Sequence, residues 1–286
     1  MSYRPVMKLV KGKETSDGAG VRLKRSLGTH DLGVHDPFLL LDEFRSDRRD
    51  DYIAGFPDHP HRGFETVTYM LAGRMEHRDH AGHQGILTAG GVQWMTAGRG
   101  IIHSEMPKQE DGLMWGFQLW VNLPRDRKMS PPRYQEFPRE RIPVVTLEDG
   151  GSIRVIAGSA RGVAGAVTGI ATNPLYLDVT LPAGGRFEEA IPVAHNAMIY
   201  VFEGEGEFGG SSEHSGVTAS EGSLLVLGEG GIASAEAPSV PVRFLLLAAE
   251  PIGEPVARYG PFVMNTREEI VQAVNELNEG TFLGPA

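Results

Sequence analysis

The stretch FPDHPHRGFETVTYMLAG, residues 56–73, decides the architecture of this chain. Its second half alternates: Val67, Tyr69 and Leu71 fall on one face of an extended backbone, and Gly73 closes the run as a turn residue. Its first half holds two histidines one residue apart. In a strand His59 and His61 point the same way, as does Glu65 if the strand begins that early.

The alternating half returns 131 residues later. YMLAG, ending at Gly73, lies over YVFEG, ending at Gly204, and the same offset carries Gly91 of GGVQWM onto Gly222 of EGSLLV. Tyr69 meets Tyr200, while Val67 and Leu71 become Met198 and Phe202, so both copies keep one apolar face. The repeat predicts two stacked β-barrels of similar plan. At this offset His59, His61 and His103 fall on Ala190, Pro192 and Ser234, so the second copy keeps the frame without the histidines.

The rest of the chain agrees with an all-β fold. Runs such as FLLLDEF, LYLDVTL and VRFLLLAA are separated by turns drawn from 37 glycines and 19 prolines. In WGFQLWVNL the apolar residues Trp115, Phe117, Leu119, Val121 and Leu123 share one face, with Gln118 and Asn122 on the other. The stretch from Pro124 to Pro143 contains five prolines and dense charge, which predicts a linker over 125–143 between a first barrel over 1–124 and a second over 144–286. One helix is expected, at about 267–279. Thr266 and Glu269 form a capping box, Ile270, Val274 and Leu277 share a face, and Gly280 ends it.

Composition narrows the chemistry. With no cysteine in 286 residues, disulfides, thiolate zinc sites, iron-sulfur clusters and cysteine nucleophiles are excluded, so a metal must bind through nitrogen and oxygen. The formal net charge of −10 opposes direct nucleic-acid binding, and the short basic run Arg22, Lys24 and Arg25 reads as a solvated strand face. No apolar run is long enough to span a membrane and the first residues carry charge, so the expected compartment is the cytoplasm.

A second pair of donors follows the first. His103 and Glu105, in GRGIIHSEMP, are again one residue apart. Two such pairs on neighbouring strands would converge, giving three imidazole nitrogens and one carboxylate from His59, His61, His103 and Glu105. That set suits a divalent first-row transition metal and is poor for calcium or magnesium. Four protein donors on an octahedral ion leave open positions, as catalysis or ligand binding requires. The cluster HRDHAGHQG, with His77, His80 and His83, reads as a solvated turn near the mouth of the site. His30, His35, His195 and His214 stand apart and read as ordinary surface or hydrogen-bonded groups.

These motifs, with DPFLLLDEF (36–44), GGVQWMTAGRGIIHSEMP (90–107), GFQLWVNLP (116–124) and GPFVMNTREEI (260–270), make the chain resemble the pirin family of two-cupin proteins over nearly its whole length. The resemblance implies two cupin barrels with a single metal in the first. That metal is iron(II) above all, with copper, nickel, cobalt, manganese and zinc as the alternatives. It also implies that His59, His61, His103 and Glu105 are the ligands and that Glu65 is not one. Two functions of different class follow from it. One is a quercetin 2,3-dioxygenase activity, in which a metal-bound flavonol is cleaved by O2 with release of carbon monoxide. Glu105 would then take the hydroxyl proton, and Phe56, Trp94 and Met106 would wall a pocket for the flat substrate. The other is a non-catalytic role, in which the redox state of the metal tunes contact with a protein partner.

Overall fold

A computed structural model describes residues 2–211 and 215–284, leaving His214 outside the described residues. Among the described residues the fold is all-β with one α-helix, near the end of the chain, in the two-barrel arrangement that the repeat predicts. Contacts divide the chain into two compact units. The first comprises Glu14–Arg25, Phe38–Arg139 and Ile252–Ala286; the second comprises Met1–Lys13, Ser26–Pro37 and Glu140–Pro251. No helix among the described residues is long and apolar enough to cross a membrane.

The first unit is built on two sheets. One runs in the order Arg133–Phe137, Val92–Thr96, Phe64–Ala72, Met114–Asn122, Phe38–Ser46, Val21–Leu27 and Lys13–Asp17. The other runs Phe56–His61, Ile101–Pro107, Arg74–Asp79 and Gln84–Thr88. In the second unit Asn196–Phe208 lies between Ser223–Leu227 and Val242–Ala249, and Arg186–Ala190 pairs with Ile232–Glu236. The turn glycines that anchor the repeat are held alike: Gly73 has φ +84° and Gly204 φ +73°, a backbone region that a side chain disfavours.

The division of the chain differs from the one drawn at 125–143 and 144–286. Arg133–Phe137 is a strand paired with Val92–Thr96, from Arg133 opposite Thr96 to Phe137 opposite Val92. It is the outermost strand of its sheet, where flanking prolines such as Pro132 and Pro138 cost no ladder bonds. Lys128 of the same segment is buried, its Nζ donating to the Gly63 and Val263 carbonyls and to Asn122 Oδ1. The boundary therefore falls between Arg139 and Glu140, and the chain returns to the first unit at Ile252.

Helix α1 spans Arg267–Glu279 and belongs to the first unit. Thr266 Oγ1 accepts from the Glu269 amide at 3.2 Å, Glu269 Oε2 accepts from the Thr266 amide at 3.0 Å, and Gly280 ends the helix in the left-handed region. Ile270 and Ala273 pack with Phe262, Met264 and Phe282, and Val274 and Leu277 border the same cluster. The cover that this apolar face requires comes mainly from the hairpin just before the helix and the tail just after it.

Candidate metal centre

Strand pairing brings the histidines together. Ile101–Pro107 runs antiparallel to Phe56–His61, with His103 opposite His59 and Ile101 opposite His61. The ring centroids lie 4.6 Å apart for His59 and His61, 4.4 Å for His59 and His103, and 5.1 Å for His61 and His103. One ring nitrogen from each falls within 4.8 Å of the others. His59 Nδ1 donates to the Pro57 carbonyl at 2.8 Å, which fixes the tautomer and leaves the lone pair on Nε2.

His61 and His103 are buried, 3% and 1% exposed, so every missing hydrogen bond matters there. Among the described residues, neither nitrogen of His103, nor Nδ1 of His61, has a hydrogen-bond partner. Burial pushes both imidazoles well below their ordinary pKa, and the neighbouring rings push the same way. Two neutral, desolvated rings with idle lone pairs are costly unless something accepts those lone pairs. This donor set fits a nitrogen-seeking divalent ion.

Glu105 lies outside that close triad. The pairing register shifts between His103 and Glu105, so that Glu105 stands opposite Phe56. The Glu105 carboxylate is buried; its Oε1 is 2.8 Å from Thr68 Oγ1, and its Oε2 accepts a longer contact of 3.5 Å from Gln118 Nε2. Thr68 Oγ1 is also 2.7 Å from the Gln118 side-chain oxygen. A hydroxyl has one proton to give, so turning the Gln118 amide by half a turn lets its nitrogen donate to Thr68 and commits the Thr68 proton to Glu105.

The site opens on a cavity of about 520 Å³ whose lining includes His59, His61, Thr68, Glu105 and Gln118. Its apolar walls are Leu23, Leu40, Phe44, Phe56, Met75 and Trp120. Of the three wall residues expected from sequence, Phe56 is present, whereas Trp94 and Met106 are not part of the lining. Trp94 is 1% exposed and sits with Val67, Phe117 and Leu119 on buried positions outside the lining. The cavity takes the opposite row, Thr68, Gln118 and Trp120, which strand periodicity assigns to the other face of the same sheet.

Trp120 was not singled out from sequence, yet its ring lies 5.3 Å from His61, edge-on, and 4.4 Å from Phe64. The signal available was its place one residue out of step with the apolar row of WGFQLWVNL. Glu65 is buried outside the lining, and Thr96 Oγ1 donates to its Oε1 at 2.6 Å. Burial raises its pKa from the ordinary 4.5 to about 7, against the opposing pull of Thr96.

The cluster HRDHAGHQG is a hairpin rather than a wholly solvated turn. His77 is buried in Arg74–Asp79, opposite Glu105 in register, and its Nε2 lies 2.6 Å from Glu136 Oε2. His80 and His83 are exposed at the tip, with His83 Nδ1 2.8 Å from Asp79 Oδ2. Elsewhere His30 is exposed beside Asp31, and His35 Nε2 lies 3.3 Å from the Ala197 carbonyl.

A family model described as Pirin matches residues 20–121, and one described as the Pirin C-terminal cupin domain matches residues 176–283. The chain is 53% identical to a pirin-like protein of Caulobacter vibrioides, over 99% of this chain and 100% of that one. It is 45% identical to the pirin of Mus musculus, over 96% of this chain and 92% of that one. A crystal structure of quercetin 2,3-dioxygenase from Acinetobacter baumannii superposes with a TM-score of 0.89 at 33% identity, covering 98% of this chain and 99% of that one.

Proposed function

The chain belongs to the pirin family, and on that premise we propose that the first barrel is a metal-dependent dioxygenase of the quercetin 2,3-dioxygenase type. The observation that carries this reading is the convergence of three imidazoles, two of them buried with unpartnered ring nitrogens, beside a cavity that His59 and His61 line and whose other walls are largely apolar. In this reading His59, His61, His103 and Glu105 hold one divalent transition metal, iron(II) before copper, nickel, cobalt, manganese or zinc. When bound, the ion supplies Lewis acidity toward the flavonol hydroxyl and a redox partner for O2.

The residues of the chain do the remaining work. His61 and His103, kept neutral by burial, offer nitrogen lone pairs without competing for protons. Thr68 donates to the Glu105 carboxylate and is itself held by Gln118, and the carboxylate receives the proton lost by the flavonol hydroxyl. Phe56, Phe44 and Trp120 offer flat surfaces to the substrate rings, and Leu23, Leu40 and Met75 keep water from the reacting carbons. The ring then takes up O2 and opens to an ester with loss of carbon monoxide.

The support from comparison is a solved quercetin 2,3-dioxygenase with the same fold at 33% identity. The test is to load the protein separately with iron, copper, nickel, cobalt and manganese, then follow the flavonol absorption band, O2 uptake and carbon monoxide together. The expected result is consumption of quercetin and O2 in equal amounts by at least one form. Quercetin left intact by every form would refute the proposal.

A further inference from the structure

Arg258 is the one arginine or lysine that lines the cavity of the first barrel among the described residues. It comes from the short strand Ala257–Tyr259, far in sequence from the histidines. Its guanidinium carbon stands 4.6 Å from the centre of the Trp120 ring, and Trp120 in turn stands 5.3 Å from His61. These two contacts hold the cation within about 10 Å of the His61 ring, a span that a fused aromatic ligand bridges.

Asp17 and Asp42 attract Arg258, but their hydrogen bonds go to Arg25. Arg25 takes Asp42 with two bonds, Nε to Oδ1 at 2.8 Å and Nη2 to Oδ2 at 2.7 Å, and also reaches Asp17 Oδ2 at 2.8 Å. Asp17 and Asp42 both line the cavity, and the single charge of Arg25 offsets one of their two, so Arg258 feels the remainder without a hydrogen bond to either among the described residues. Among the described residues the Arg258 guanidinium makes one long hydrogen bond, Nη1 to the Leu39 carbonyl at 3.5 Å. A guanidinium has five N–H donors in a planar fork. Stacked on an indole at the cavity wall, with most of that fork idle, it is prepared for a planar oxygen anion.

We propose that Arg258 and Trp120 form a subsite for an anionic oxygen, a carboxylate or an ionised phenol, carried on a flat aromatic ring that extends from the histidine triad. Trp120 holds the guanidinium in place, and Arg258 selects for charge on the ligand. The subsite rests on the reading of the cavity as a substrate chamber, and it narrows the substrate class to aromatics with a second acidic oxygen. It requires no oxygen chemistry, so it stands or falls separately from the dioxygenase assignment.

The experiment compares 2-naphthoate with its uncharged counterpart 2-naphthamide by isothermal titration of the full chain. Both ligands are titrated into the nickel-loaded and the metal-stripped protein, each in the native form and as Arg258→Met and Arg258→Lys. The expected result is about tenfold tighter binding of the naphthoate to the native protein in both metal states. That preference is lost in Arg258→Met, partly kept in Arg258→Lys, and accompanied by unchanged naphthamide affinity. The charge-assisted bond sets this scale. Equal affinities for the two ligands, a preference that survives Arg258→Met, a preference that disappears when the metal is stripped, or no binding of naphthoate would each overturn the proposal. A protein that prefers naphthoate through Arg258 but leaves quercetin intact would keep the subsite and lose the dioxygenase.

Discussion

One row of cross-strand neighbours separates the two barrels. In the first barrel it reads Gln93, Thr68, Gln118 and Asp42, each opposite the next in the sheet. In the second the corresponding row reads Leu225, Ile199, Leu246 and Leu177. The frame is shared, but Thr68, Gln118 and Asp42 of the first row line a cavity, whereas the second row joins a continuous apolar cluster. The register also refines the repeat. Thr68 and Ile199 are 131 residues apart, but their partners Gln93 and Leu225 are 132 apart, so the frame slips by one between adjacent strands. Carried forward, the slip places His103 over Ala235 rather than Ser234, and Ala235 stands opposite Phe187 in its own strand pair. A barrel of this plan becomes a site when its inward row carries donors, and a plain core when that row is aliphatic.

The largest expected effect comes from exchanging residues across that comparison. His103→Ala should weaken metal binding on the order of 100-fold or more, read by metal content after gel filtration, because the remaining donors no longer close around the ion. Ala235→His should gain no metal and should destabilise the protein by about 3 kcal/mol or more, since it forces an imidazole into a packed apolar cluster. A His103→Ala protein that keeps full metal occupancy would sink the ligand assignment.

A smaller effect sharpens the contrast through pH. Glu65 and Asn196 occupy the same place in the repeat, and only the first titrates. The Glu65 pKa is about 7 in the folded chain against an ordinary 4.5, so the folded state holds a proton through that window that the unfolded state has lost. Its stabilising contribution is complete below about pH 4.5 and is lost as pH rises through about 7. The difference of about 2.5 units corresponds to roughly 3 kcal/mol. Denaturant titrations at pH 5 and pH 8 should show Glu65→Gln gaining that amount over the native protein at the higher pH. Parallel stability profiles would show that Glu65 is not the source.

The barrel plan was legible in the sequence because strand alternation and turn glycines are local signals that survive in both copies. The three histidines were legible because an x-separated pair on each of two strands has few ways to face anything but its partner. What local pattern could not supply was the inward row. Gln118 and Thr68 looked like the outer face because the apolar residues beside them are also buried, and periodicity separates two faces without saying which one borders a cavity. The sequence places helix α1 with the second barrel, whereas the chain returns to the first unit at Ile252, a long-range event decided by contacts such as those of Ile270 with Phe262 and Phe282.

A third exchange tests the row directly. Ile199→Thr places in the second barrel the residue that the first barrel has at Thr68. There it loses apolar burial and gains a hydroxyl among Leu225, Leu246 and other aliphatic neighbours. The expected cost is about 2 kcal/mol by denaturant midpoint, the sum of a lost aliphatic contact and a poorly satisfied hydroxyl. The reverse change, Thr68→Val, should cost about 1 kcal/mol, less than its counterpart, while releasing the Glu105 carboxylate, so its signature is weaker metal binding. Similar stability losses in both barrels would break the comparison, since they would make the polar row as structural as the aliphatic one.

The smallest effect concerns which barrel owns the helix. Thr266→Ala removes the hydroxyl that accepts the Glu269 amide and half of a capping box, which is worth about 1 kcal/mol. Because α1 packs on Phe262–Met264 of the first unit, the loss should be local. Hydrogen exchange should therefore quicken by about fivefold at the amides of α1 and of the adjacent hairpin, the factor that 1 kcal/mol implies. The amides of Ser223–Leu227 and Asn196–Phe208 in the second barrel should keep their native rates. If those amides quicken as much as the helix does, the two barrels open as one cooperative unit, and the contrast between them is confined to the chemistry of their inward rows.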